Sequence, residues 1–188
     1  MYDNVLDITS RQEFRLWLAA NGTTAKECWV ATKRGKPGGE GFWYLDAVEE
    51  ALCFGWIDST QKVIEGVRMQ RFSPRRKNSL WTELNKERVR RLTRLGLMTD
   101  QGLAVLPDMN PDAFHIDEDI LAALQVANAY DTFLSFPPLY QRIRAYNVAF
   151  YKHRDHTAYQ KALARLVEET RQGRLYGEWN DYGRLLEE

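Results

Sequence analysis

Two runs of this chain bring together side chains that can hold an anion or carry a reaction. Residues 53–58 (CFGWID) place a thiol, an indole and a carboxylate within six positions, and residues 71–85 (RFSPRRKNSLWTELN) interleave arginine, serine, tryptophan and asparagine. Guanidinium groups beside the free N–H groups of a helix start favour phosphate or carboxylate, and indole faces accept stacked cations or planar ligands. The candidate ligand-binding set is therefore Trp56, Asp58, Arg71, Arg75, Ser79, Trp81 and Asn85. An anionic small molecule or an acidic protein partner matches that chemistry. The same residues also fit a scaffold, with Trp56, Phe72 and Trp81 in a core and Asp58 paired to an arginine. An enzyme would need Asp58 with a raised pKa as an acid, or Cys53 as a nucleophile. In its Leu52-Cys53-Phe54 setting that thiol reads as a small buried hydrophobe, as does Cys28 beside Trp29, so the catalytic residues stay unassigned.

The charge distribution sharpens the anion reading and also weakens it. The 188 residues carry 26 Lys plus Arg and 26 Asp plus Glu, a net charge of zero. Residues 62–94 nevertheless hold eleven cations against three carboxylates, a net of +8, and residues 95–141 hold seven carboxylates and no Lys or Arg. The basic block is either a recognition surface or is neutralised by the acidic one. Single-stranded nucleic acid suits basic residues interleaved with aromatics. Overall neutrality and the acidic block make it the weaker partner.

Several chemistries are excluded by motif. The glycine-rich loop at residues 33–41 (KRGKPGGEG) lacks the Gly-Lys-Ser/Thr ending of a phosphate-cradling loop, and there is no Gly-x-Ser-x-Gly elbow. His153 and His156 share a helical spacing but straddle a helix junction without further ligands, so no metal and no cofactor is expected. Two cysteines are too few for a disulfide framework, and residues 1–6 have no basic segment followed by an apolar run. With 44% hydrophobic residues and a mean hydropathy of -0.52, the expectation is a soluble globular protein of the cytoplasm.

The elements that must position these residues follow from local signals. Ser10 with Glu13 forms a capping box that opens a helix ending at Asn21-Gly22. Residues 27–32 (ECWVAT) read as a strand, and residues 45–54 as a helix with an apolar stripe at Leu45, Val48, Ala51 and Leu52 and with Glu49 and Glu50 opposite. Residues 56–60 and 62–64 run into a turn at Glu65-Gly66 and form a hairpin with 67–72, and Pro74 is expected to stop the second strand. Ser79 then caps a helix over 80–95 whose Leu80, Leu84, Leu92 and Leu95 face a core. A short helix follows Thr99, and helices are predicted over 118–136 with a break near Asn128, over 139–152 and over 156–172.

The expected fold class is α+β: a small N-terminal α/β part with a short antiparallel sheet, followed by an all-helical C-terminal module. The domain boundaries read as 1–106 for the α+β domain, 107–117 for a linker, 118–176 for the helical module and 177–188 for a docked aromatic tail. That tail either plugs apolar surface or adds Trp179, Asn180 and Tyr182 to a cleft.

At residues 47–58 (AVEEALCFGWID), residues 71–89 (RFSPRRKNSLWTELNKERV) and Gly96-Leu97-Met98-Thr99 with Gly102, the sequence resembles the YdeI/OmpD-associated family, also labelled bacteriocin-protection proteins. The region from about Asp119 to Tyr176, including Phe136-Pro137-Pro138-Leu139-Tyr140, is similar to that family's C-terminal helical module, and Ser59 stands where many members have glycine. The resemblance implies a part in bacteriocin or antimicrobial-peptide tolerance. It carries over no reaction, cofactor or catalytic residue.

Overall fold

The computed structural model describes residues 3–186. The chain divides into two compact units, Met1–Trp81 with Asn85–Met109, and Thr82–Leu84 with Asn110–Glu188. The fold is mixed helix and sheet, and every strand among the described residues lies before Arg75.

In the first unit, β1 (Val5–Leu6) leads into α1 (Arg11–Asn21), where the Ser10 side chain accepts from the Glu13 N–H and Glu13 reaches back to the Ser10 N–H. The chain returns through β2 (Cys28–Ala31), parallel to β1, so α1 is the crossover that parallel pairing requires. The two-residue β1 carries too little periodicity to be read from sequence. After the glycine-rich loop come α2 (Tyr44–Cys53), β3 (Trp56–Ile64) and β4 (Val67–Pro74), which complete one sheet of order β1-β2-β4-β3. β4 is thus a central strand that contains Pro74. The proline sits at its last position, opposite Trp56, where a missing N–H interrupts no ladder.

Faces of the sheet follow from the register. Cys28, Phe72 and Asp58 are aligned, as are Trp29 and Arg71, so these two sets point to opposite faces. A one-residue bulge between Asp58 and Gln61 bends β3. The main core joins Phe14 and Leu18 of α1, Cys28 and Val30 of β2, Ala47, Val48, Ala51, Leu52 and Cys53 of α2, Trp56 and Phe72, and a smaller cluster of Trp29, Ile64 and Met69 lies on the other face. α2 is buried all round, Glu49 and Glu50 included, which corrects the expectation that they face water.

α3 (Glu83–Arg94) begins three residues later than predicted, and Ser79 does not cap it. Residues 75–82 run as a loop and Leu80 and Leu95, outside the helix, are exposed. Thr99 caps α4 (Asp100–Leu103) and also ties it to α2, its N–H and Oγ1 both donating to the Cys53 carbonyl at 3.1 and 2.6 Å. Gly102 permits that approach, because a Cβ there would overlap the same carbonyl.

The second unit holds α5 (Glu118–Val126), α6 (Tyr130–Ser135), α7 (Pro138–Ala149) and α8 (His156–Arg171), with Asn128 at φ 52° breaking α5 from α6. It is helical in its elements but not throughout, since residues 174–180 are irregular and two 3-10 turns lie at Pro111–Ala113 and Asp181–Leu186. Trp179 of the tail enters the helical core edge-on to Tyr140, ring centroids 5.5 Å apart. Residues 187–188 of the predicted tail lie outside the described residues.

Candidate functional site

The seven residues chosen from sequence do not form one site. Trp56 is core, its indole N–H donating to the Gly22 carbonyl at 3.0 Å and its ring edge-on to Trp17. Arg71 lies on the opposite sheet face from Asp58 and is held by Glu27 at 2.7 Å and by the Ser59 hydroxyl at 3.2 Å. Trp29 and Arg71 both donate to Glu27 and hold its carboxyl below the usual range. Arg75, Ser79 and Trp81 do come together. The Arg75 guanidinium stacks 3.5 Å above Trp81 and donates to the Ser79 hydroxyl at 3.4 Å and the Leu80 carbonyl at 3.2 Å. Asn85 is buried on α3 and accepts from Arg88 at 2.8 Å.

Arg75 therefore clamps the loop between β4 and α3. It is 7% exposed, and burial lowers its pKa to about 10 against the opposing pull of Asp58. Asp58 in turn accepts a 2.5 Å hydrogen bond from Tyr44, whose own ring carries Arg34 at 3.6 Å. Burial, then the Asp58 charge, pushes the Tyr44 phenol up to about 12. The free N–H groups expected at a helix start over 80–82 belong to a loop, so the sequence-based anion cradle is not formed there. Cys53 is buried, and desolvation followed by Glu50 raises its thiol to about 11, which keeps it protonated and unreactive near neutrality.

A second charged constellation in this unit was not anticipated. Glu49 and Glu50 point into an arginine cage: Arg11 donates to both at 2.7 and 2.5 Å, Arg91 to Glu49 at 3.2 Å and Arg15 to Glu50 at 2.7 Å. Each of the four carboxylate oxygens has an arginine, and the adjoining cavity of about 390 Å³ offers an incoming anion only cations already engaged.

The second unit contains the opposite case. Between α7, α8 and the irregular segment that leads into the tail lies a cavity of about 560 Å³, in the range of small-molecule sites. Arg144, Lys161 and Arg165 line it, with Tyr176 on the wall and Tyr146, Phe150 and Tyr151 around the rest. Arg144 is 8% exposed, makes no ion pair among the described residues and leaves its Nε buried without a partner. It rests instead on the Tyr176 ring at 4.5 Å, and Arg165 sits at the same distance from that ring. Burial lowers the Arg144 pKa, the charge of Arg165 adds to this, and the two tyrosines only partly oppose it. Arg165 approaches Glu169 at 3.9 Å, but Glu169 is already engaged by Arg174 at 2.8 Å.

Sequence reasoning missed this cluster because its members are spread over three elements and lie outside the dense basic block. The available signal was helical spacing, Arg144-x-x-Asn147 on α7 with Tyr151 one turn further on, and Lys161-x-x-x-Arg165 on α8, which is common on ordinary helices.

A family model described as Domain of unknown function (DUF8412) matches residues 6–105, a stretch that carries the sheet and ends before α5. No curated protein and no solved structure matches the chain.

Proposed function

We propose that this chain, which belongs to the DUF8412 family, is a binding module for an anionic ligand seated in the cavity of the second unit between α7, α8 and the segment that leads into the tail. The observation that carries the reading is Arg144, a cation withdrawn from water that no carboxylate among the described residues answers. Such a group costs several kcal/mol unless paired, and an entering anion supplies the pair. Arg165 and Lys161 add two further positive charges at the same opening.

The anionic ligand is the chemistry expected from the basic and aromatic runs of the sequence, moved to a different set of residues. The likeness of residues 47–58 and 71–89 to the YdeI/OmpD-associated family supports placing that binding in bacteriocin or antimicrobial-peptide tolerance. Among the described residues no helix is long and apolar enough to cross a membrane.

The test is thermal unfolding in inorganic phosphate against chloride at matched ionic strength, since a ligand that binds only the folded state raises the midpoint. Phosphate raises the midpoint of the parent chain and leaves that of a chain carrying both Arg144→Met and Arg165→Ala unchanged. Equal responses from the two chains overturn the site.

A further inference from the structure

Two chemically different groups of residues line the cavity, and the difference specifies more than charge. In one, Arg144 and Arg165 share the Tyr176 ring, and Lys161 stands one helical turn before Arg165 on α8. In the other, Phe150 and Tyr151 meet edge-on at 5.3 Å just past the end of α7. Arg154 lies 4.2 Å from the Phe150 ring, while Tyr151 is 39% exposed. An ion of four or five heavy atoms would satisfy the first group and leave the second in water.

We infer that the ligand is an aromatic phosphate monoester, its phosphate held by Arg144, Arg165 and Lys161 and its ring seated against Tyr151 and Phe150. The inference rests on the anion-binding reading and deepens it. Three cations, with Glu169 at 3.9 Å from Arg165 but already engaged by Arg174, match a dianion better than a single carboxylate. A ring packed against aromatic side chains gains offset-stacked or edge-to-face contact that a bare ion cannot make.

Isothermal titration of the full chain with three probes, phenyl phosphate, inorganic phosphate and benzoate, separates the layers of this argument. Phenyl phosphate is expected to bind about tenfold more tightly than inorganic phosphate, from one added aromatic contact. Tyr151→Leu should remove that advantage while leaving the affinity for inorganic phosphate as it was, and Arg165→Ala should weaken both phosphates. Equal affinities for phenyl phosphate and inorganic phosphate overturn the aromatic assignment and leave the anion site standing. Benzoate binding as tightly as phenyl phosphate overturns the phosphate assignment. Absence of binding by all three probes overturns the anion site together with the inference.

Discussion

Two clusters, a cage in the first unit and a cavity in the second, handle buried charge in opposite ways. In the first, Glu49 and Glu50 lie on a helix with no exposed face, and three arginines from α1 and α3 deliver one donor to each of their oxygens. In the second, Arg144 is withdrawn to a similar extent and receives only the faces of tyrosine rings. A saturated cluster has nothing left to offer a ligand, whereas an unanswered cation at a cavity does. Density of charged residues along the chain is therefore a poor guide to a binding site. What matters is which charges the fold leaves unspent.

The largest test of this contrast is Glu49→Gln. It removes the buried charge that faces Arg91 and one side of Arg11, and urea denaturation should show a loss of about 3 kcal/mol, the low end for a broken buried pair because Arg11 keeps some water. Loss below about 1 kcal/mol would mean the cage is no more than a surface ion pair. Gly102→Ala probes the packing that supports the same helix. Its methyl group would meet the Cys53 carbonyl, and since neither backbone can yield, about 2 kcal/mol of destabilisation is expected by the same measurement.

Alkaline pH gives a third, smaller effect in the first unit. Burial raises Cys28 to about 12 and Cys53 to about 11 from an ordinary value of 9.0. Unfolded chains therefore lose these protons first. The contribution is intact below 9.0 and declines as pH rises toward the folded values, so the urea midpoint should fall between pH 9 and 11, and Cys53→Ala should flatten the slope. A thiol reagent at neutral pH should label neither cysteine until the chain unfolds. The second unit should respond in the opposite direction: Arg144→Met replaces an unanswered cation by an apolar side chain of similar reach, and urea denaturation should show a gain of about 1 kcal/mol, the relief of burial less the lost contacts to the Tyr140 and Tyr176 rings, while phosphate binding is lost. A loss as large as that of Glu49→Gln would erase the distinction between the units.

Local signals made much of the fold legible. The Ser10/Glu13 capping box, the Glu65-Gly66 turn and the break at Asn128 each need only neighbouring residues, and each is found where the sequence places it. Boundaries failed where long-range contacts override local ones. Ser79 looked like a cap, but its hydroxyl serves Arg75, and α3 starts at Glu83 instead. The second hairpin strand runs to Pro74, two positions further than expected, because the terminal position requires no N–H.

The candidate site was less legible than the fold. Asp58 and Arg71 are separated by a sheet, a consequence of strand register that residue spacing does not reveal. Arg144, Lys161, Arg165 and Tyr176 meet only when two helices and the segment that leads into the tail fold together.

By itself the amino-acid order determined the periodic elements, the turns and the choice of a mixed helix-and-sheet chain, because hydrophobic repeat and backbone preference act over a few residues. Only the tertiary structure decided that Glu49 and Glu50 are enclosed by arginines while Arg144 is not. Pairing of charges depends on distances between segments far apart in the chain, and the energy of a charge depends on how much water its neighbours exclude. Neither quantity exists until the segments have packed.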